Sequence, residues 1–398
     1  MDDRAAATPR VSARSAAPVA MVYVADKDTE GVLRQSLNGL SIQSPYFGSG
    51  GIVGAIEELA SRASPRLLIV DISGAKDGIA SIRELSQVCE PGTGVIVVGD
   101  DNDIILYRDL KNIGIAEYFF KPLIGTLVTR ACKAILVGTF DERVVRTGKL
   151  VHVLGVRGGA GNTTVATRLA WHLSQVRKRR SIYVDFDLIA GDAALQFDVV
   201  AQHALSEALE HPERVDDLFL ERAVSHVTER LDLLASTEPL DSVISYTEAS
   251  SRSLISRLLR SYRYVFTDLS TERAASMPRI LHLPCICLLV STASLASARD
   301  ISRWRALIGP DTADRKTMHI LDKISASDGL SVADFERATG HTPDALITYD
   351  RDVARSSSLG ITALEKCEGF FKALGPILQE ISGEPTKPER SLISRMFG

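Results

Sequence analysis

Cysteine is scarce in this chain: five among 398 residues. Cys89, Cys132, Cys285, Cys287 and Cys367 are scattered and odd in number, so neither a disulfide framework nor a zinc site fits them. Cys285 and Cys287 alternate along an apolar run and read as two small buried hydrophobes. Long hydrophobic runs are missing too, since none approaches the roughly 18 residues that a membrane-spanning helix needs. The N-terminus, rich in Ala, Arg, Ser and Pro, lacks the apolar core of a secretory signal. Neither sign of charge dominates. Lys and Arg number 46 and Asp and Glu 50, leaving a formal charge of −4, which excludes a chain-wide basic footprint for nucleic acid. There is no internal repeat. What these absences leave is a reduced, cytoplasmic globular protein. Its 45% apolar and 24% charged residues suffice for two or three domains.

The order of short apolar runs predicts the architecture. Residues 1–18 read as a flexible tail. Val19–Ala25, Leu67–Val70, Val95–Val98 and Glu117–Phe120 are short runs of the kind buried parallel strands use. Helical patterns separate and follow them: Thr29–Leu40, Gly54–Ser61, Ile79–Cys89, Ile104–Ile113 and Thr126–Val137. This alternation predicts a doubly wound α/β domain over 19–138. A polar connector leads to a second, larger α/β domain over 148–382. Its expected strands are Leu150–Gly155, Ser181–Val184, Leu231–Ala235, Tyr264–Thr267, Cys285–Val290 and Met318–Leu321, with a helix at Thr163–Val176. Residues 383–398 read as a linker and a short amphipathic end.

The strongest chemical signal is Arg157-Gly158-Gly159-Ala160-Gly161-Asn162-Thr163-Thr164, between a strand and a helix. That context suits a phosphate cradle, because glycines let the backbone wrap an anion while amides and the helix N-terminus supply positive potential. Thr163 is placed to ligate Mg²⁺ and Thr164 to reach an α-phosphate. The loop resembles the deviant Walker A motif of the ParA/MinD family, Lys-Gly-Gly-x-Gly-Lys-Thr-Thr, with Arg157 at the signature lysine and Asn162 at the P-loop lysine. The resemblance implies that Arg157 reaches across a dimer interface to the partner's nucleotide. A hydrogen bond to a charged group is worth about 1.5–3 kcal/mol, so losing the lysine at 162 weakens ATP binding roughly 10–100-fold and hydrolysis more.

Further motifs extend the resemblance. Asp185 and Asp187 match the strand-end aspartates of the family, near Mg²⁺ and at the water-positioning site respectively. Phe266-Thr267-Asp268-Leu269 resembles Walker B, with Asp268 on the metal. Asp322, Tyr349 and Asp350 fall where the family recognises adenine. Together with Asp-x-Asp-Leu-x-x-Gly-Asp-Ala-Ala-Leu from Asp185 to Leu195, the chain resembles the TadZ/CpaE family of Tad (Flp) pilus assembly proteins. In that family a response-regulator receiver-like domain, of flavodoxin type, is fused to a ParA/MinD-like P-loop ATPase. In the first domain Asp71 matches the phosphoacceptor, with Asp26 and Lys121 beside it, but Gly99 replaces the usual Thr or Ser and Ala25 one of the acidic pair.

The resemblance implies a homodimer that binds ATP and Mg²⁺, a weak ATPase at most, working with pilus or secretion components including a secretion ATPase. It would sit in the cytoplasm or peripherally at the inner membrane or cell pole. Two alternatives stay open: an active MinD/ParA-like ATPase cycling on the membrane, and a phosphorylation-controlled signalling protein acting through Asp71. The negative net charge argues against DNA as the main partner; the run Arg177–Arg180, between a helix and a strand, reads as a solvated turn, with contact with an acidic partner as the alternative. At about 100° per residue, Leu392, Ile393, Met396 and Phe397 share one helical face and form a candidate membrane or partner anchor.

Overall fold

The computed structural model describes residues 18–40, 42, 44–138, 148–324, 329–351, 353, 360 and 368–383. The tail and the candidate anchor at 392–397 lie outside them. The chain divides into two compact units, Met1–Gly148 with Arg260–Arg263, and Lys149–Leu259 with Tyr264–Gly398. Among the described residues no helix is long and apolar enough to cross a membrane.

In the first unit the strands are β1 (Ala20–Tyr23), β2 (Tyr46–Gly48), β3 (Leu67–Asp71), β4 (Gly94–Gly99) and β5 (Glu117–Phe120). They form one parallel sheet in the order β2-β1-β3-β4-β5. The helices are α1 (Lys27–Asn38), α2 (Gly51–Leu59), α3 (Gly78–Val88), α4 (Ile104–Ile113) and α5 (Gly125–Val137). Successive strand residues face opposite sides of the sheet, and each side has its own core. Met21, Tyr23, Leu68, Val70 and Val97 pack with Ile52, Leu59, Ile82, Leu85 and Leu110. Ala20, Val22, Ile69, Ile96 and Val98 pack with Leu33, Leu37, Val128 and Cys132. A strand buried on both faces must be apolar throughout, which is why these runs were legible. Asp26, Asp77 and Asp103 cap α1, α3 and α4 by accepting backbone N–H bonds. β2 was not expected: its three residues form a half-buried edge strand, too short to give a pattern.

The second unit continues with β6 (Lys149–Gly155), α6 (Asn162–Gln175), β7 (Ser181–Asp185), β8 (Ser225–His226), β9 (Leu231–Leu234), β10 (Tyr264–Leu269), β11 (Cys285–Thr292), β12 (Arg315–Ile324) and β13 (Ala345–Thr348). The sheet order is β13-β12-β11-β6-β10-β7-β9-β8. All pairs are parallel except β8 with β9. β6 is central, and α6 buries Val165, Ala166, Leu169, Ala170 and Leu173 in the core above it. Several strands run past their expected ends. β10 extends to Leu269, so Asp268 lies inside the strand, paired in register with Asp185 of β7. Parallel ladders go on satisfying backbone groups even where the side chains turn polar, so hydrophobicity alone places these ends too early.

Candidate functional site

The strand order reverses around β6, whose neighbours β10 and β11 come later in the chain. Ligand crevices open at such points, beyond the carboxyl ends of the strands. Here β6 ends at Gly155 and the glycine loop leads into α6. Gly159 and Gly161 take φ of 75° and 98°, backbone that glycine adopts without penalty. A Cβ at Gly158 or Gly159 would meet nothing within 4 Å, so the loop faces open space, whereas one at Gly161 would collide with the Asp322 carboxylate. No side chain caps α6, so its first amides are available to an anion.

Beneath the loop two carboxylates are buried side by side. Asp268, 3% exposed, accepts from Asn162 Nδ2 at 2.5 Å, Thr163 Oγ1 at 2.6 Å and Tyr183 OH at 2.8 Å. Asp185 accepts the backbone N–H groups of Asp187 and Ala193 at 3.1 and 3.3 Å. These donors are all neutral. Burial, followed for Asp185 by the charge of Asp268, pushes both carboxyls above the usual carboxylate range. Such a pair invites a cation. Among the described residues no group of three or more His, Cys, Asp or Glu could hold a metal ion; Thr163, Asp185 and Asp268 are the oxygen donors here that could share Mg²⁺ with phosphate oxygens. Asp187, half-buried, accepts from Ala190 N at 3.0 Å.

The other expected residues divide. Asp322 packs on Gly161, and burial raises its carboxyl to about 6. Tyr349 and Asp350 follow the edge strand β13 and are exposed, with Tyr349 N donating to Ile324 O at 2.9 Å. Arg157 is paired within its own chain: its Nη1 lies 2.5 Å from Asp300 Oδ2. Asp300, on the helix Leu295–Ile308, also takes Arg299 and Arg303. Arg299 first, then Arg157 and Arg303, hold its carboxyl far below the usual range. That pairing spans 143 positions, beyond any local pattern. Tyr183, Asp300 and Lys323 were missed. Tyr183 alone carried a signal, since two residues before Asp185 on a strand means the same face.

In the first unit the carboxyl ends of β1, β3 and β5 bring three expected residues together. Lys121 Nζ donates to Asp26 Oδ2 at 2.6 Å and Asp71 Oδ2 at 2.8 Å. The Lys121 bond lowers Asp26 to about 2. Burial alone would raise Asp71, but hydrogen bonds from Lys121, Ser73 and Ala25 bring it below the usual carboxylate value. At Gly99 the space of a Cβ is taken by the Tyr118 hydroxyl, 2.7 Å away, which donates to Asp101 O at 2.6 Å.

No family model and no curated protein matches the chain. Solved structures do. A ParA family ATPase from Chlorobium tepidum is 20% identical, with 59% of this chain and 98% of that one covered at a TM-score of 0.50. The septum site-determining protein MinD of Pyrococcus horikoshii, complexed with Mg-ADP, is 19% identical, with 59% and 96% covered at 0.49. A pilus assembly protein CpaE from Caulobacter crescentus is 32% identical, with 29% of this chain and 96% of that one covered at 0.28. With the ParA family ATPase the chain shares its fold, an α/β architecture built on a parallel sheet.

Proposed function

We propose that this chain is a nucleotide-dependent, dimeric localisation or assembly factor of the TadZ/CpaE kind, serving a Tad (Flp) pilus or a related secretion machine. It binds ATP with Mg²⁺ and hydrolyses it weakly or not at all. The observation that carries this reading is the placement of residue 162. Asn162 Nδ2 is bonded to Asp268 at 2.5 Å, and its Oδ1 lies against Gly155, so the side chain is occupied at the root of the loop. The open glycines and uncapped α6 amides remain for phosphates, which supports binding. A neutral amide there offers no charge to the transferring phosphoryl group, which supports slow chemistry.

In this reading Thr163, Asp185 and Asp268 hold Mg²⁺, and Asp187 positions water in whatever turnover occurs. Arg157 bridges subunits once released from Asp300. The first unit serves as a docking module for pilus or secretion components, including a secretion ATPase, and residues 390–398 touch the membrane or a partner at the pole. Nucleotide binding and phosphate release by the purified chain test it. Expected are saturable ATP–Mg²⁺ binding and near-background phosphate. Turnover at ordinary P-loop rates, abolished by Asp187→Ala, would establish the cycling-ATPase alternative instead. A second reading, phosphorylation at Asp71, is favoured by the assembled Asp26–Asp71–Lys121 cluster. Labelling by a small phosphodonor, lost in Asp71→Asn, is its test.

A further inference from the structure

Beside the glycine loop stands a lysine that no motif contains. β12 pairs with β13 through Leu321, and pairing resumes at Ile324 after a register shift. Within that irregularity Lys323 takes φ 55°, left-handed backbone that is uncommon for a residue other than glycine, asparagine or aspartate. The kink brings two side chains to the loop together. Asp322 sits against Gly161, and Lys323 Cε lies 3.7 Å from where a Cβ on Gly161 would be. Lys323 Nζ donates to Gly159 O at 2.6 Å. Lys323 is exposed, and its ammonium is held by a carbonyl of the loop itself.

We propose that Lys323 supplies the cation that the loop lacks at 162, so that nucleotide phosphates are met by an ammonium entering from the β12 irregularity rather than from the start of α6. This rests on the nucleotide-binding reading above. An ammonium is a compact charge on a flexible four-carbon stem, so it can leave a carbonyl for a phosphate oxygen without moving the backbone. It also offsets the Asp322 carboxylate, which by itself would repel an anion from Gly161.

The test titrates a fluorescent ATP analogue, mant-ATP with Mg²⁺, against the full chain and its Lys323→Ala, Lys323→Gln and Lys323→Arg variants, with melting curves to confirm folding. Ala and Gln are expected to weaken binding about 10–100-fold and to flatten its dependence on salt. Arg keeps most of the affinity, and Asn162→Lys placed on Lys323→Ala restores it. Glutamine can still donate to Gly159 O. If the lysine only braces the loop, Lys323→Gln binds like the parent, and that result overturns the assignment. Unchanged binding by Lys323→Ala overturns it equally. Failure of the unsubstituted chain to bind mant-ATP would overturn the nucleotide reading and this one together, an outcome distinct from binding that ignores residue 323.

Discussion

Replacing Asp300 with asparagine removes the anion that holds Arg157. The Arg157 side chain is 47% exposed and that of Asp300 10%, so the pair belongs to the partly solvated class worth about 0.2–1 kcal/mol. In the proposed twofold dimer the latch would occur twice, so about 0.4–2 kcal/mol would oppose dimerisation through Arg157. Converted to an equilibrium, that is roughly a 2–30-fold tightening of the ATP-bound dimer in Asp300→Asn. Sedimentation velocity with Mg-ATP, across a range of protein concentrations, reads the shift directly. The gain should shrink in high salt, since exposed ion pairs are screened, and disappear when Arg157→Ala is added. A weaker dimer in Asp300→Asn, or an Arg157→Ala variant that dimerises like the parent, would refute the reasoning.

Three other outcomes follow from single features. His152 is fully buried, and burial lowers its pKa from 6.5 to about 4. Between those values the unfolded chain takes up a proton that the native side chain refuses, so the stability His152 contributes is complete above pH 6.5 and falls by about 3 kcal/mol toward pH 4, alongside His172 and His319, which burial lowers to about the same value. Urea midpoints across that range should show the slope, and it should lessen by about a third in His152→Gln. Gly161→Ala should abolish mant-ATP binding while the chain still folds, because a Cβ there meets Asp322 and the left-handed backbone disfavours it; a variant that binds as well as the parent would refute the close approach. Lys121→Met leaves Asp71 buried beside Asp26 without its cation, and should destabilise the first unit by about 3–5 kcal/mol, read by denaturant unfolding.

How much of this was written locally in the chain differs by element. Strands buried on both faces, such as β3 and β6, announce themselves as continuous apolar runs. β2 and β8 do not, because two or three edge residues carry no periodicity. The glycine loop was legible because its conformation demands glycine at fixed positions. Asp185 and Asp268 were legible as strand-end acids, yet their pairing across β7 and β10 is a fact of sheet order, which only assembly reveals. Asp300 on Arg157 and Lys323 on Gly159 are contacts across 143 and 164 positions. Their residue types are common on surfaces, so no spacing rule singles them out.

The Tyr118 hydroxyl in the space beside Gly99 makes those two positions interdependent. A threonine installed at 99 alone would have no room, so a hydroxyl cannot be placed there in one step. Shortening Tyr118 alone would open a cavity and leave Asp101 O without its donor. Each single change costs stability, and only the pair exchanges one packed arrangement for another. Installing a hydroxyl at 99 in this unit therefore begins with a simultaneous double substitution, and a screen of single variants would pass over it.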